Sequence, residues 1–413
     1  MKGSAAPERP IERGRRAEAR PDAAEWPRVP LGEVADYVNG RAFRPKDWGR
    51  SGLPIIRIKN LTDPSAPFDY FGGDVSDGHR VDNGDLLVSW SATLDAFIWD
   101  RGPAVVNQHI FKVCEYPDRV DRLYLFFALR EAMAEIDKLV HGATMKHVTK
   151  PMFEGHRIPL PPLAEQERIA EWVSRGMEQA ASARRAALDR LAAAEALPAA
   201  LLREVFEGPQ WPIVALGAGL ERFEAGTSVV AEGRPAGDHE WGVLKVSAVS
   251  WGHFRPHENK AVPPGYVPGE HERVRPGDFL ISRANTAELA GAVVLVRETP
   301  DNLMLSDKTL RLVIDRTVFV PEYLEFALRT RLARTFIEGN ATGTSYSMRN
   351  ISQPTIRAIP VPKPEVATQR QIVASLSVRL AAVEAMIARC REELDEIESL
   401  PAALLRAAFN GAS

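Results

Sequence analysis

Apolar positions along the chain follow two rhythms. Between 165 and 197 they recur at intervals of three, four and seven, at Ile169, Val173, Met177, Ala180, Ala187, Leu191 and Ala194. A later stretch repeats the rhythm with bulkier side chains, at Ile372, Leu376, Leu380, Val383, Ile387, Cys390, Leu394 and Ile397. Alternation of three and four is the seam of a coiled coil; an ordinary amphipathic helix packed on its own domain is the alternative. Matched length favours pairing of the two helices, small alanines on one seam facing bulky residues on the other. Arg184 falls on the seam, and the sequence offers no reason for it. Each helix of about 33 residues is about 50 Å long at 1.5 Å per residue. Leu197-Pro198 and Leu400-Pro401 are expected to end them, because proline disfavours helix in the residue before it and suits the first turn of a new one. The second rhythm is shorter. Residues 53–59 and 243–246 read as buried strands, and 86–89 and 279–282 as strands that follow a Gly-Asp turn. Residues 123–140 and 323–338 read as helices, and 158–162 and 359–364 as extended, proline-rich entries to the long helices.

These elements occur twice. Leu197-Pro198-Ala199-Ala200-Leu201-Leu202-Arg203 recurs as Leu400-Pro401-Ala402-Ala403-Leu404-Leu405-Arg406, and Ile158-Pro159-Leu160-Pro161 is echoed by Ile359-Pro360-Val361-Pro362. Phe127-Ala128-Leu129-Arg130 matches Phe326-Ala327-Leu328-Arg329, and Trp26-Pro27 with Leu31-Gly32 matches Trp211-Pro212 with Leu216-Gly217. The chain is therefore two tandem copies of about 190 residues. From Gln166 to Gly208 the distance to the second copy stays at 203, whereas it drifts in the parts before. A segment of fixed length follows one that tolerates insertions, as a rigid spacer behind a variable reading head would. The expected fold class is α+β: a disordered leader at 1–25, a recognition head at 26–160 with a spacer helix at 161–208, and a second head at 211–362 with a second helix at 363–411. The two helices are expected to pair with each other as a coiled coil.

Composition changes this picture little. The 413 residues are 45% hydrophobic and 26% charged, with no run of apolar residues that suggests a membrane span. The net charge of -3 does not exclude a polyanion partner, since a basic face can be cancelled in the sum. Cys114 and Cys390 have no metal spacing, and a cytoplasmic protein with reduced thiols is the expectation.

Several strings resemble the specificity subunit of type I restriction-modification enzymes. They are Leu31-Gly32-Glu33-Val34, Asn39-Gly40-Arg41-Ala42-Phe43, Gly52-Leu53-Pro54-Ile55-Ile56-Arg57-Ile58 and Gly84-Asp85-Leu86-Leu87-Val88-Ser89. The most specific is Ile158-Pro159-Leu160-Pro161-Pro162-Leu163-Ala164-Glu165-Gln166, followed at once by a long helix. The second copy departs from the pattern: Pro362-Lys363-Pro364-Glu365-Val366-Ala367-Thr368-Gln369 reads as carrying two extra residues, and its opening lacks the Gly-Arg-Ala-Phe string. The resemblance implies two target-recognition domains, held apart by an antiparallel pair of helices, that read the halves of a bipartite site in double-stranded DNA. It implies docking of two methyltransferase subunits and, in the full complex, of restriction subunits. Catalysis, S-adenosylmethionine and ATP would then belong to those partners, leaving this chain without a cofactor or an active site of its own.

Base readout needs side chains that fork onto base edges, arginine or lysine for guanine and asparagine or glutamine for adenine. Candidates collect where strands run into loops. In the first copy they are Arg57, Lys59 and Asn60, Trp90, Gln108 and His109, and Lys146 and His147. In the second they are Lys245 and Ser247, Arg283 and Asn285, Lys308, and Tyr346, Arg349 and Asn350. Arg57 and Lys59 are expected on one face of an apolar strand. The loops 142–146 and 343–349 combine glycine, hydroxyls and a cation, which suits phosphate contact.

An enzyme is the first rival. The sequence has no phosphate-binding G-x-x-x-x-G-K-[ST] loop, no G-x-S-x-G elbow and no Asn/Asp-Pro-Pro-aromatic motif. His253 and His257 have metal-ligand spacing, but Gly252 and Pro256 argue against a helix there, and no metal is expected. A coiled-coil scaffold without DNA binding is the second rival, and a specificity subunit of a related DNA-modifying defence system is the third.

Overall fold

The computed structural model describes residues 26–141, 148–208, 211–345 and 348–410. They form two compact units, one of the described residues up to 188 with 392–410 and one of those between 189 and 391. Each contains a head, the start of the helix that follows it and the end of the other helix.

In unit 1 the alternating apolar strands pair in the order Ala35–Asn39, Ile110–Glu115, Leu86–Ser89, Asp95–Ile98, all antiparallel. Helix Arg122–His141 covers this sheet through Tyr124, Leu125, Ala128, Leu129, Ala132, Met133 and Ile136, an apolar stripe at helical spacing that is almost wholly buried. A second sheet runs Asp69–Phe71, Leu53–Ile56, Ala104–Val106, Arg80–Val81, with a parallel pair at its centre. Unit 2 repeats the first sheet as Leu220–Ala225, Thr309–Ile314, Phe279–Ser282, Val293–Leu295. Its second sheet, Asn259–Ala261, Gly242–Leu244, Leu303–Met304, again has a parallel pair. Gly84 and Gly277 open equivalent strands at φ of 91° and 90°, the left-handed turn that the Gly-Asp pairs anticipate.

The helix expected across 323–338 is broken. Helix Pro321–Ala327 stops and helix Arg331–Asn340 begins, because Thr330 is extended and turns its hydroxyl onto the Ala327 carbonyl at 2.7 Å. The strand expected over 53–59 is also shorter, ending at Ile56 before the short helix Ile58–Thr62.

The long helices run Leu163–Glu207 and Val366–Phe409. Neither stops at its Leu-Pro pair: Pro198 and Pro401 lie inside them. The expected break is corrected, since packing of the last turns outweighs one missing backbone hydrogen bond. Leu405, Ala408 and Phe409 belong to the core of unit 1, and Phe206 to that of unit 2. On the first helix Val173, Ala180, Ala187 and Ala194 are buried at every seventh residue, as is Ile169. Leu376 and Val383 are buried on the second, while Leu191, Ile372, Ile387, Leu394 and Ile397 are half-buried. In unit 1 a side chain at Gly176 would press on Leu404, with its Cβ 2.8 Å from a methyl group. Arg184 has its reason there: its Nε lies 2.9 Å from Glu398 Oε1, at the solvent edge of the contact. In unit 2 Arg379 pairs with Glu204 at 2.8 Å and Arg391 with Glu195 at 2.7 Å, so the helices run antiparallel within that unit. The second helix is long and apolar enough to cross a membrane by length and composition alone. Its Leu376 sits in the core of unit 2.

The structure also corrects how the two copies align. Val29 pairs with Ile158 and Val214 with Val361, so Ile158-Pro159 corresponds to Val361-Pro362 and not to Ile359-Pro360. The distance of 203 then holds from Lys150 onward, where helix Lys150–Glu154 matches Gln353–Arg357, and the second copy has no extra residues before Gln369. The opening of the second copy also keeps its glycine. Asn39 faces Phe111 as Ala225 faces Leu310, which makes Gly226 the counterpart of Gly40. At both, a Cβ would collide with backbone of the facing segment, at Asn107 and at Leu305 respectively. Replacing either with alanine is expected to cost about 1–3 kcal/mol by overpacking. Urea unfolding of each variant checks this, and an unchanged midpoint would count against close backbone approach as the reason for the glycine.

Candidate nucleic-acid interface

In unit 1 the parallel pair sends two chain segments out of the same end of the sheet. Arg57 follows Leu53–Ile56, and Asn107 to His109 follow Ala104–Val106. Backbone bonds from Asn107 to Ile56, from Gln108 to Arg41 and from Trp90 to His109, at 3.0, 3.0 and 3.3 Å, hold four segments together there. Gln108 and His109 are exposed, with their side-chain nitrogens 3.2 Å apart. The Trp90 ring packs on His109 and Phe111, and its buried indole N–H has no acceptor among the described residues. Arg57 spans a 2.8 Å ion pair to Asp69 and lies 4.5 Å over the ring of Trp48, itself 43% exposed.

Two expectations need correction here. Lys59 is exposed, but it stands on the helix Ile58–Thr62 and shares no strand face with Arg57. Asn60 is fully buried. Its Oδ1 accepts from the Arg57 backbone N–H at 3.0 Å, and its amide donates to the carbonyls of Ala66 and Pro67. No group remains on Asn60 to meet a base, so it is a structural residue that fixes the turn beneath Arg57. Arg41 was overlooked as a site residue. It stacks 4.3 Å over Phe71 and 5.3 Å over Phe43, beside Gln108. The Gly-Arg-Ala-Phe string was the available signal, a cation two residues from an aromatic.

Unit 2 builds the same frame with other side chains. Lys245 follows Gly242–Leu244 as Arg57 follows its strand, and Ala248 N–H closes on the Lys245 carbonyl as Asn60 N–H closes on that of Arg57. Ser282 faces Thr309 as Ser89 faces Ile110, so Arg283 stands in the place of Trp90 and Lys308 in that of His109. Arg283 N–H donates to the Lys308 carbonyl at 2.9 Å. A cleft of about 300 Å³ brings together Lys245, Lys308, Thr227, Ser306 and the overlooked Lys260. Glu258 accepts from Ser247 Oγ at 2.8 Å and Lys245 Nζ at 3.4 Å, and these bonds, Ser247 first, hold its carboxyl below the usual range. Asn285 donates to Ser250 Oγ at 2.8 Å, Arg349 donates to the Gly343 carbonyl at 3.0 Å, and Asn350 is exposed. Strand Ala284–Asn285 pairs with Met348–Asn350, which joins this group to the first. Lys146, His147 and Tyr346 lie outside the described residues.

Behind each interface one buried glutamine fastens the head to its long helix. Gln166 accepts from Asp121 N–H at 2.8 Å and donates to the carbonyls of Arg119 and Pro161 at 3.0 and 2.8 Å. Gln369 does the same with Val320, Val318 and Pro364, at 2.8, 3.0 and 3.0 Å. The glutamine that ends the most specific sequence string is thus a clamp. Among the described residues no group of three or more histidine, cysteine or acidic side chains could hold a metal ion.

Residues 23–183 match the family model of the type I restriction modification DNA specificity domain. That match covers about two-fifths of the chain, the first head and the start of the long helix behind it. Among similar proteins, the EcoBI specificity subunit of Escherichia coli is 31% identical over 148 residues, which is 35% of this chain and 31% of that protein. The EcoEI specificity subunit of Escherichia coli is 28% identical over 201 residues, 48% of this chain and 34% of that protein. These matches span about a third of each relative. The fold extends further. A solved chain from work on complex assembly and conformational transition of the type I R-M system superposes with a TM-score of 0.70 at 20% identity, over 95% of this chain and 100% of that one. The HsdS subunit from Thermoanaerobacter tengcongensis gives 0.61 at 19% identity, over 94% and 97%.

Proposed function

We propose that this chain is the DNA-recognition subunit of a type I restriction-modification complex, reading a bipartite target in double-stranded DNA with one head per half-site. The observation that carries this reading is the reuse of one frame with different polar groups at its mouth. Arg57, Lys59, Trp90 and His109 in one head give way to Lys245, Ser247, Arg283 and Lys308 in the other. Packing alone would keep equivalent loop residues similar. Separate recognition of two base sequences would change them, because each base pair presents its own donor and acceptor pattern in the major groove.

In this reading the long helices pair as an antiparallel coiled coil that spaces the heads and docks two methyltransferase subunits, with restriction subunits joining in the full complex. The chain itself is non-catalytic and works in the cytoplasm, and S-adenosylmethionine and ATP bind the partners. Sequencing modified adenines in the host with and without the gene tests the assignment. Loss of one bipartite methylation motif on deletion is expected, and unchanged methylation would refute it. Helix length then sets the spacer between half-sites, one DNA turn being about 34–36 Å. Inserting one heptad into both helices is expected to lengthen the methylated spacer, which the same sequencing measures.

A further inference from the structure

Four arginines line one cleft of about 500 Å³ in unit 2. Arg203 comes from the end of the first long helix, Arg329 from the break after helix Pro321–Ala327, and Arg331 and Arg334 from the start of helix Arg331–Asn340. Glu207 is the one acidic residue among those lining it, 3.5 Å from Arg331. Arg329 and Arg334 are anchored. The first donates to the Gly252 carbonyl at 2.6 Å and pairs with Glu325, and the second donates to the carbonyls of Ala290 and Glu288 at 2.9 and 2.7 Å. Burial pushes both guanidinium groups below the usual arginine range. Arg203 is exposed, and Arg331 is 82% exposed. The first turn of the helix Arg331–Asn340 has no acidic residue, so these cations add to the positive end of its dipole.

The equivalent place in unit 1 has the opposite character. There Asn410 stands for Glu207, 203 residues on, and the helix side chains that meet it are acidic, Glu131 and Glu135. Both glutamates accept from the Asn410 amide at 2.8 Å, and His156 lies 3.2 Å from Glu135. The same junction in unit 1 therefore packs with acidic side chains where unit 2 presents the exposed Arg331. The basic cleft also reaches the reading edge of its head. Arg329 and Arg334 line an adjoining cleft with Ser250, whose hydroxyl holds the Asn285 amide at 2.8 Å.

We propose that this cleft binds backbone phosphates of the duplex that the second head reads, an anchor that the first head lacks. The proposal rests on the DNA-recognition reading above. The test is equilibrium binding of the full chain to a random-sequence duplex across a salt series. Each phosphate contact contributes about 0.9 to the slope of log affinity against log salt, so R203Q/R331Q is expected to flatten it by close to 2. R203K/R331K is expected to keep the parent slope, as is R406Q, which alters the exposed arginine equivalent to Arg203 in unit 1. No duplex binding by the parent chain would sink the DNA reading itself. Parent binding with an unchanged slope in R203Q/R331Q would overturn the cleft alone. So would an unchanged slope with lost binding of the methyltransferase subunits, which would assign the cleft to an acidic protein surface.

Discussion

Replacing Gln166 with leucine is expected to destabilise unit 1 by about 3 kcal/mol or more, since each buried backbone group left without a partner costs about 1–3 kcal/mol. The side chain is fully buried and serves three such groups, the N–H of Asp121 and the carbonyls of Arg119 and Pro161. Leucine fills nearly the same volume, so the loss isolates the hydrogen bonds from the packing. Glutamate is expected to do no better. Its carboxylate could accept from Asp121 but could not donate to either carbonyl, and it would bring a charge into the junction. Gln369→Leu should act in the same way on unit 2 through Val318, Val320 and Pro364. Urea unfolding with hydrogen exchange at the Asp121 and Val320 amides measures both, and a cost below about 1 kcal/mol would show that the clamp is dispensable. Against a domain stability of about 5–15 kcal/mol, the expected loss raises the unfolded fraction by about a hundredfold.

This clamp also shows what the sequence made legible. Repetition exposed the duplication, and periodicity exposed the two helices with their buried alanines. Both signals are distributed over many residues, so single exceptions do not erase them. Local signals failed where tertiary structure decides. The Ile-Pro echo drew the second copy out of register by two residues, because identity of letters outweighed the strand pairing of Val29 with Ile158 and Val214 with Val361. Pro198 and Pro401 were expected to stop helices that burial of Phe206 and Phe409 carries onward. Asn60 has the chemistry of an adenine reader, yet its amide is consumed by three backbone partners that only the folded turn supplies. Lys260 and Arg41 went unseen for the converse reason. Lys260 lies far in sequence from Thr227 and Lys308, and Arg41 from Phe71 and Gln108, and the loops that gather them are joined by hydrogen bonds between distant strands.

The two heads are expected to fail separately. In the proposed complex with methyltransferase subunits, Lys245→Ala with Lys308→Ala should weaken binding by about 2–6 kcal/mol in total if each lysine meets a base, at about 1–3 kcal/mol per specific contact. Discrimination should then vanish at one half-site and persist at the other, because Arg57, Gln108 and His109 are untouched. Gln108→Ala with His109→Ala should give the mirror result. Binding to duplexes scrambled in one half at a time separates the two. Equal weakening on every duplex, with a shallower salt dependence, would instead make the lysines phosphate contacts, since backbone binding carries no sequence information. Glu258 makes the base reading the stronger expectation for Lys245. Its carboxylate already holds the ammonium and the Ser247 hydroxyl, so the lysine enters an interface oriented and partly neutralised. A bare phosphate would favour the opposite, a free cation at the end of a mobile stem, and Lys308 is exposed in that manner. The pair therefore predicts a split within the second head. Lys245→Ala alone should change which sequence is methylated, and Lys308→Ala alone should change how much salt the complex tolerates.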